Sequence, residues 1–344
     1  MCLCEYKLKI ADMRRTLPAI ILLLVAGCWP PGMDPDRKDG KFLSDVVNLE
    51  EFNSEYDDYN SDLPSNRYGE THLVFSSKRE RKDLLNLVYF PAFMEYDKGL
   101  QLKKGTERAG GDYHESFSGA AQLINKANGN FNVYGPRLMS HYRDYTSVGN
   151  TKSLWLFYAD DASGDMDIKY VQKGDEAPAP VQYLNSPADD AYPTISFMGD
   201  KIYFCSNRDG NFDIFEVTIP RDEREEITLE SLVNPSKYEI RKMDELSGAY
   251  NDKCPYLYDN VMVFVSDRPG GQGGEDIYYS EYIDGKWSAP VNAGPRINTA
   301  HNEYRPILPS LPNFNYHLMI FSSNRPGGKG GYDLYMTGLK ERRW

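Results

Sequence analysis

The sequence predicts an all-β protein, a β-propeller of five four-stranded blades. The first observation is a repeated hairpin, in which an apolar strand leads into a polar, often Gly-rich turn and an aspartate then opens the next strand. Its copies lie at Phe321–Met336, Phe264–Tyr279, Phe204–Phe215, Tyr158–Lys169 and Phe75–Leu85. The second is the composition of 28 Gly, 21 Pro and 26 Tyr in 344 residues, which is typical of short strands joined by tight turns. An internal repeat of this kind indicates a repeat architecture.

The two ends of the chain predict that the array closes into a ring. Residues Asp39–Tyr59 match Asp284–Tyr304 without a gap, and the later copy holds the fourth strand of one unit and the loop into the next. We therefore expect the chain to begin with a fourth strand, over residues 39–48, and to end after a third strand around Tyr335–Leu339. Pairing these two strands removes sheet edges that would otherwise pair with other chains.

The number of blades follows from the number of hairpins. The second strands are expected to end at Phe75, Tyr158, Phe204, Phe264 and Phe321. Unit one then carries an insertion near residues 90–128, which is expected to contain a short helix. The alternative is that this insertion hides a sixth, divergent blade. After it, Gly135–Leu138 is matched to Gly294–Ile297, and the charged segment Pro220–Ala249 is expected to be a solvated elaboration.

Residues 1–27 predict a signal peptide. Arg14 and Arg15 precede the apolar run Leu17–Ala26, which is too short for a bilayer that needs about 20 residues. The run ends in LVAGC, residues 24–28, which resembles a bacterial lipobox. We expect cleavage before Cys28 and a lipid, such as palmitate, on its sulfur. The alternative is an ordinary signal peptide that meets a cysteine by chance, and Met13 is the expected true start.

The predicted mature protein is a lipidated tether over residues 28–38 followed by the propeller over residues 39–344. Trp29 follows Cys28 in place of the aspartate that retains some lipoproteins in the inner membrane. We therefore expect an outer-membrane, lipid-anchored protein. Whether it faces the periplasm or the cell surface stays open.

Charge and cysteine usage limit the classes of ligand. With 51 acidic against 39 basic residues, the chain repels phosphates, so nucleic acid is not an expected partner. Cys205 and Cys254 are left for the fold, either as a disulfide or as two separate buried thiols. The five histidines show no metal-ligand spacing, so no metal site is predicted and no cofactor is expected, with Ca²⁺ as the one candidate ion.

Two acidic positions recur in every unit. One opens the third strand and is expected to cap the preceding turn through its backbone N–H groups. Its members are Asp83, Asp167, Asp213, Asp276 and Asp333. The other opens the first strand and is expected to surround one mouth of the central channel. Its members are Asp58, Asp144, Asp190, Asp252 and Glu303.

Arginines follow the second strand on the same face. They are Arg79, Arg208, Arg268 and Arg325, and unit two has Asp161-Ala162 instead. The carboxylates are interpreted as partners of these arginines in structural pairs within or between blades. The alternative is a ring that binds a cation or an amine. Aromatic residues on the third strands, Tyr278, Tyr279, Tyr332 and Tyr335, are interpreted as packing.

The repeat FxS(N/D)RxGGxGGxD(I/L)Y resembles the TolB-type, WD-like propeller repeats of envelope lipoproteins in Bacteroidetes-like bacteria. The resemblance covers about residues 39–339. It implies a non-enzymatic scaffold that binds other envelope proteins, whose identity the sequence does not reveal. A propeller supports this role with variable loops on a rigid frame.

The alternative function is a glycan-binding or glycoside-hydrolysing five-bladed propeller. Glycosidases of this architecture use a pair of channel carboxylates about 5 to 9.5 Å apart. Such pairs need different environments so that their pKa values separate, whereas the carboxylates here recur at equivalent positions. A peptidase is excluded more firmly, since the sequence has no GxSxG motif.

Overall fold

A computed structural model describes residues 42–64, 70–96, 102–106, 114–140, 154–222, 225–309 and 316–341. The fold lies in the compact unit Lys38–Trp344, and the other unit, Met1–Arg37, falls outside the described residues. The fold is a five-bladed β-propeller, as the repeat predicts. Each blade is an antiparallel sheet; in blades one to four the strands run in chain order from the first to the outermost, whereas the outermost strand of blade five is the first strand of the chain.

The chain opens with β1 (Val47–Asn48), and the blades follow it. Blade one contains β2 (Asp58–Asp62), β3 (Glu70–Ser77), β4 (Asn86–Tyr96) and β5 (Leu102–Gly105). Helix α1 (His114–Ala127) leads into blade two, which contains β6 (Val133–Ser140), β7 (Leu154–Asp160), β8 (Asp167–Gln172) and β9 (Ala179–Pro180). Blade three contains β10 (Asp190–Ile195), β11 (Lys201–Ser206), β12 (Asp213–Thr218), the short helix α2 (Leu229–Val233) and β13 (Glu239–Lys242). Blade four contains β14 (Asp252–Tyr258), β15 (Val261–Ser266), β16 (Asp276–Ile283) and an outer strand in two pieces, β17 (Lys286–Trp287) and β18 (Val291–Asn292). Blade five contains β19 (Glu303–Ile307), β20 (Tyr316–Ser323) and β21 (Asp333–Glu341).

Strand β1 closes the ring, which confirms the predicted closure. It pairs antiparallel with β21, so that Val47 lies opposite Met336 and Asn48 opposite Tyr335. The insertion in unit one supplies β5 and α1, and no sixth blade occurs among the described residues. Buried residues of α1, including Leu123 and Ile124, pack against β4 and β7, so the insertion is held by an apolar contact.

The second strands are buried on both faces, because each blade packs between two neighbours. All residues of β15 and β20 are buried. This explains why these strands read as continuous apolar runs, such as VMVFV, and not as alternating patterns.

The register of blade two differs from the sequence prediction. In the other four blades, the carboxylate that opens the first strand lies opposite the serine that ends the second strand, as Asp190 lies opposite Ser206. In blade two this position is Val133, which lies opposite Asp160. Asp144, the residue predicted there, lies outside the described residues. The position that opens the first strand is acidic in the other blades and is valine in blade two, so the sequence comparison chose Asp144 instead. The match of Gly135 to Gly294 is wrong for the same reason.

The third strand of blade one begins later than predicted. Strand β4 starts at Asn86, which lies opposite Ser77, whereas Asp83 is exposed in the preceding turn. An asparagine therefore takes the place of the expected aspartate. The charged sequence KRERKD of this turn hides the shift.

Candidate functional site

One face of the propeller is built by five equivalent hydrogen bonds between blades. In each, the N–H of the residue that opens a first strand donates to the carbonyl just before the third strand of the preceding blade. The pairs are Asp58 to Tyr332 at 2.8 Å, Val133 to Leu85 at 2.9 Å, Asp190 to Met166 at 2.7 Å, Asp252 to Phe212 at 2.7 Å and Glu303 to Glu275 at 2.8 Å. These bonds join the starts of the first strands and the hairpin turns into one rim. We call this side the mouth face.

The four described carboxylates of the predicted ring are buried and fully engaged. Asp190 accepts hydrogen bonds from the Ser186 N–H and hydroxyl at 2.6 and 2.8 Å, and its other oxygen pairs with Arg208 Nη2 at 2.5 Å. Arg208 also donates to the Leu184 carbonyl at 2.6 Å and to Ser206 Oγ at 2.8 Å. The guanidinium thus ties the first and second strands of blade three to the connection that arrives from blade two.

The same arrangement recurs in three other blades. The corresponding ion pairs are Arg79 with Asp58 at 2.8 Å, Arg268 with Asp252, and Arg325 with Glu303 at 3.0 Å. Each guanidinium also lies over two aromatic rings of its own blade, as Arg325 does over Phe321 and Tyr335 at 5.2 and 5.0 Å. Because their lone pairs are occupied by these donors, the four carboxylates are poorly suited to binding a cation or to acid–base chemistry.

In blade two, the acidic and the basic residue stand at other positions than in the other four blades. Asp160 occupies the position of the serine, is buried, and pairs with Lys169 Nζ at 2.7 Å. Val133 replaces the acid and Ala162 replaces the arginine. The acid has therefore moved from the first strand to the second, and the base from the turn to the third strand.

The third-strand aspartates serve different contacts in different blades. Asp276 accepts from the Gln272 and Gly273 N–H groups, the latter at 3.1 Å, and Asp333 accepts from Lys329 and Gly330. These two form the expected turn caps. In the other blades, Asp213 pairs with Lys242 Nζ at 2.6 Å and Asp167 accepts from Ser163 Oγ at 2.6 Å.

The glycines of the GGxGG motif are explained by these caps. A Cβ on Gly328 would lie 1.6 Å from the Asp333 carboxylate, and one on Gly330 would lie 2.0 Å from the Tyr56 carbonyl oxygen. Gly328 therefore leaves room for the Asp333 cap, and Gly330 leaves room for the backbone of the neighbouring blade at Tyr56.

A further repeated residue went unnoticed in the sequence. Asn53 accepts from the Leu334 N–H at 2.8 Å through Oδ1 and donates to the Leu334 carbonyl at 3.0 Å through Nδ2, and so imitates a strand. Asn128, Asn185 and Asn298 form the same two bonds to Leu87, Ile168 and Ile277. Each precedes the opening of its first strand by five residues. The signals FNS, ANG, LNS and INT would have located Val133 correctly.

Six residues beside the ring carboxylates in space form a second surface, which we call the aromatic mouth. They are Tyr59, Phe212, Lys253, Glu275, Tyr304 and Tyr332. The rings of Tyr59 and Tyr332 lie 5.3 Å apart, and Tyr304 lies 6.2 and 6.4 Å from them. Lys253 Nζ lies over Tyr304 and Phe212 at 5.3 and 5.7 Å and forms an ion pair with Glu275. All six side chains are partly exposed.

The aromatic mouth is charged at the Lys253–Glu275 ion pair, and its tyrosines are neutral. Burial alone would lower the pKa of Lys253, but the Glu275 carboxylate reverses this effect and the pKa is raised. Burial raises the pKa of Tyr59 well above its usual value and that of Tyr134, the equivalent residue of blade two, to about 12. The tyrosines are therefore neutral hydrogen-bonding groups at physiological pH.

Side chains fill the propeller axis beneath the mouth. The hydroxyls of Tyr192 in blade three and Tyr304 in blade five are 3.2 Å apart, and Arg137 of blade two donates to the Tyr256 hydroxyl of blade four at 2.7 Å. These contacts join blades that are not neighbours. The aromatic mouth is therefore a shallow cup and not the entrance to an open tunnel.

Cys205 and Cys254 are two free, buried thiols. Within the described ranges, no cluster of three or more His, Cys, Asp or Glu is arranged to hold a metal ion, and the Ca²⁺ hypothesis stays a prediction. In the same part of the chain, no helix combines the length and apolar character needed to span a membrane.

No protein-family model and no curated protein sequence matches the chain. Among solved structures, it is similar to a thermostable family-43 glycoside hydrolase (10% identity, 89% of this chain and 98% of that chain, TM-score 0.47). It is also similar to an endo-arabinase from Bacteroides thetaiotaomicron (11% identity, 88% and 98%, TM-score 0.47). A TolB protein from Agrobacterium tumefaciens has 12% identity, with 86% and 89% covered and a TM-score of 0.41.

These similarities correct one prediction. The expected non-enzymatic scaffold for envelope proteins is wrong on this comparison, in which glycoside hydrolases stand among the similar structures. Identities near 10% are too low to transfer a substrate or a site, so the function is inferred from the side chains of this chain.

Proposed function

We propose that the chain binds glycans at the aromatic mouth. The observation that carries this proposal is the partly exposed cluster of Tyr59, Tyr304 and Tyr332 beside the Lys253–Glu275 ion pair. Three aromatic rings around one charged pair, on the loop side of a rigid scaffold, are typical of a binding site.

The chemistry of the cup matches that of a sugar. One face of a sugar ring presents polarised C–H bonds, which pack on the electron-rich face of an aromatic ring. Its hydroxyl groups need both donors and acceptors, which the ammonium of Lys253, the carboxylate of Glu275 and the tyrosine hydroxyls supply. The filled axis limits the site to the surface, which suits one or a few residues of a polymer.

Hydrolysis is the second candidate activity, and two carboxylates at the mouth favour it. Glu275 pairs with Lys253, whereas Asp57 pairs with Lys78 Nζ at 2.8 Å and accepts from the Tyr332 N–H at 3.1 Å. Burial raises the pKa of Tyr332, and both carboxylates raise it further, so both act on the same side chain. Two carboxylates with different partners beside one tyrosine are the kind of groups that a glycosidase uses as acid and as nucleophile or base.

The test separates binding from hydrolysis. Calorimetric titration with soluble arabinan, xylan, galactan and dextran, supported by a glycan array, measures binding, and reducing-end release measures hydrolysis. Tyr332→Ala is expected to weaken binding at least about tenfold, a loss of ~1.4 kcal/mol. The control is Tyr282→Ala, which removes a 44% exposed tyrosine of β16 outside the mouth. Absence of binding to every glycan, or equal effects of the two variants, would contradict the proposal.

Glu275→Gln distinguishes the two activities. If the mouth is hydrolytic, this variant loses reducing-end release and keeps its affinity. If the mouth only binds, wild type releases no sugar and the variant changes affinity alone.

Membrane anchoring is a separate proposal, supported by the lipobox-like LVAGC at residues 24–28. Cleavage before Cys28 and lipidation of its sulfur would hold the protein at the outer membrane. Cys28→Ser is expected to abolish labelling by palmitate and to move the protein out of carbonate-washed membranes. Unchanged labelling would contradict this proposal. Envelope proteins as partners stay a prediction.

A further inference from the structure

A guanidinium lies fully buried on the propeller axis. Arg305 in β19 is 0% exposed and is the largest of the fully buried side chains. Its Nη1 donates to the Pro255 carbonyl at 3.3 Å and its Nη2 to the Pro136 carbonyl at 3.4 Å. These carbonyls belong to blades four and two, and the guanidinium carbon lies 5.3 Å from the ring centre of Tyr192 in blade three. The charge is therefore surrounded by several blades.

Arg305 differs from every other buried arginine described above because no carboxylate of the described residues pairs with it. Its Nε has no hydrogen-bond partner, and two long bonds leave most of its five donors unused. The buried acids on the neighbouring strands have other partners. Glu303 is bound by Arg325 at 3.0 Å, and Asp62 by Arg137 at 2.9 Å and by the Leu138 N–H at 2.7 Å.

The other titratable groups beside Arg305 are neutral. Burial raises the pKa of the Cys254 thiol to about 12, although Arg305 opposes this rise. Burial likewise raises the pKa of the Tyr256 hydroxyl to about 12. Neither group supplies a negative charge at physiological pH.

Blade one, which is adjacent to blade five, has unsatisfied polar groups at the position equivalent to Arg305. Asn60 and Arg305 are the same position of the first strands of blades one and five, with φ of 60° and 45° at a register shift in each. Both amide atoms of Asn60 and the hydroxyl of Ser61 are buried and have no partner within the protein. The Asn60 N–H donates to Ser322 Oγ of blade five at 3.3 Å, which keeps the two strands together.

A buried charge without a partner is costly, whereas its counter-ion removes most of the cost. We propose that Arg305 and Asn60 bind a small anion, of which chloride is the simplest, within the propeller axis. A halide accepts hydrogen bonds from any direction, so the guanidinium, the Asn60 Nδ2 group and the Ser61 hydroxyl are all suitable donors to it. Water would satisfy the donors and leave the charge uncompensated. The Tyr192 ring lies against the Arg305 guanidinium, and its hydroxyl meets that of Tyr304, so Tyr192 stands between this site and the glycan cup.

The test compares anions at constant ionic strength. Full-length protein is refolded from denaturant in sodium chloride or sodium gluconate, so that the enclosed site is filled during folding, and is then melted. Because ligand binding to the folded state raises stability with ligand concentration, wild type should melt several degrees higher in chloride than in gluconate. Its melting temperature should rise further with the logarithm of the chloride concentration. Arg305→Met should show no difference between the salts.

Arg208→Met is the matched control, because its arginine is paired with Asp190. It should melt lower than wild type by the same amount in both salts. Should Arg305→Met fail to fold, crystals of wild type grown in bromide replace it, and anomalous scattering should show one peak within hydrogen-bonding distance of Arg305. Equal melting of wild type in chloride and gluconate, or the absence of a bromide peak at Arg305, would overturn the proposal.

Discussion

Consecutive residues at the start of each first strand differ in how they vary between blades. One position is Asp58, Asp190, Asp252 or Glu303 in four blades, with the same arginine and the same contacts each time. The next position is Tyr59, Tyr134, Ala191, Lys253 or Tyr304, so it is tyrosine in blades five, one and two and changes to alanine and lysine in blades three and four. What recurs in the repeat holds the blades together, and what varies beside it is available for recognition.

The largest expected effect tests the shared architecture. A protein that begins at Leu49 lacks β1 and leaves β21 as an open edge. We expect a loss of several kcal/mol, comparable with the whole stability of a domain, together with association through the edge. Thermal melting and light scattering measure both effects. A monomer with unchanged melting would show that β1 contributes little to closure.

The next effect concerns one Arg–carboxylate pair. Arg208→Met and Asp190→Asn should each destabilise by about 3 kcal/mol, because each leaves a buried partner unsatisfied. The double variant should cost much less than the sum, and denaturant unfolding of the four proteins gives this coupling. Glycan affinity should not change. A coupling near zero would mean that the contact is incidental.

Blade two allows the repeat to be rebuilt. Val133→Asp alone places a second buried acid opposite Asp160, and we expect a loss of about 2–4 kcal/mol. Adding Asp160→Ser and Ala162→Arg restores the arrangement of the other blades and should recover most of the loss. If the triple variant remains as unstable as the single one, the two arrangements are not interchangeable.

The pH dependence of stability tests the buried tyrosines. The pKa values of Tyr134 and Tyr256 are raised by burial to about 12 in the folded protein, against about 10 when unfolded. Between these values the folded state holds more protons, so the free energy of unfolding falls as pH rises from about 10 to 12. Denaturant midpoints at pH 9, 10, 11 and 12 measure this. Constant midpoints would contradict it.

The smallest effect on stability belongs to the variable surface. Tyr332→Ala should cost about 1 kcal/mol or less, because the side chain is partly exposed, while it weakens glycan binding. A large loss of stability without any change in affinity would place Tyr332 with the packing residues, as its strand position first indicated.

The sequence predicted the ring well because the hairpin signals are local. The Gly-rich turn and the aspartate behind it lie within a dozen residues, and the match of the two ends revealed the closing strand. Register failed where a local residue departs from the repeat, at Val133 and Asn86. The carboxylates were found, but whether their lone pairs are free depends on contacts such as that of Asp190 with Ser186. Tyr59 and Tyr304 were passed over because the search looked for positions kept in every unit, and this position is tyrosine in only three of the five blades.

The direction of the closing strand decides how the protein can be attached. Leu43 accepts from the Gly338 N–H at 2.7 Å near the end of β21, whereas the Leu49 N–H donates to Leu334 near its start, at the mouth face. The chain therefore enters the propeller on the opposite face. In a protein shortened to begin at residue 42, a bead or a fluorophore joined to that residue lies on the face opposite the cup, which stays open to polymers as large as a polysaccharide.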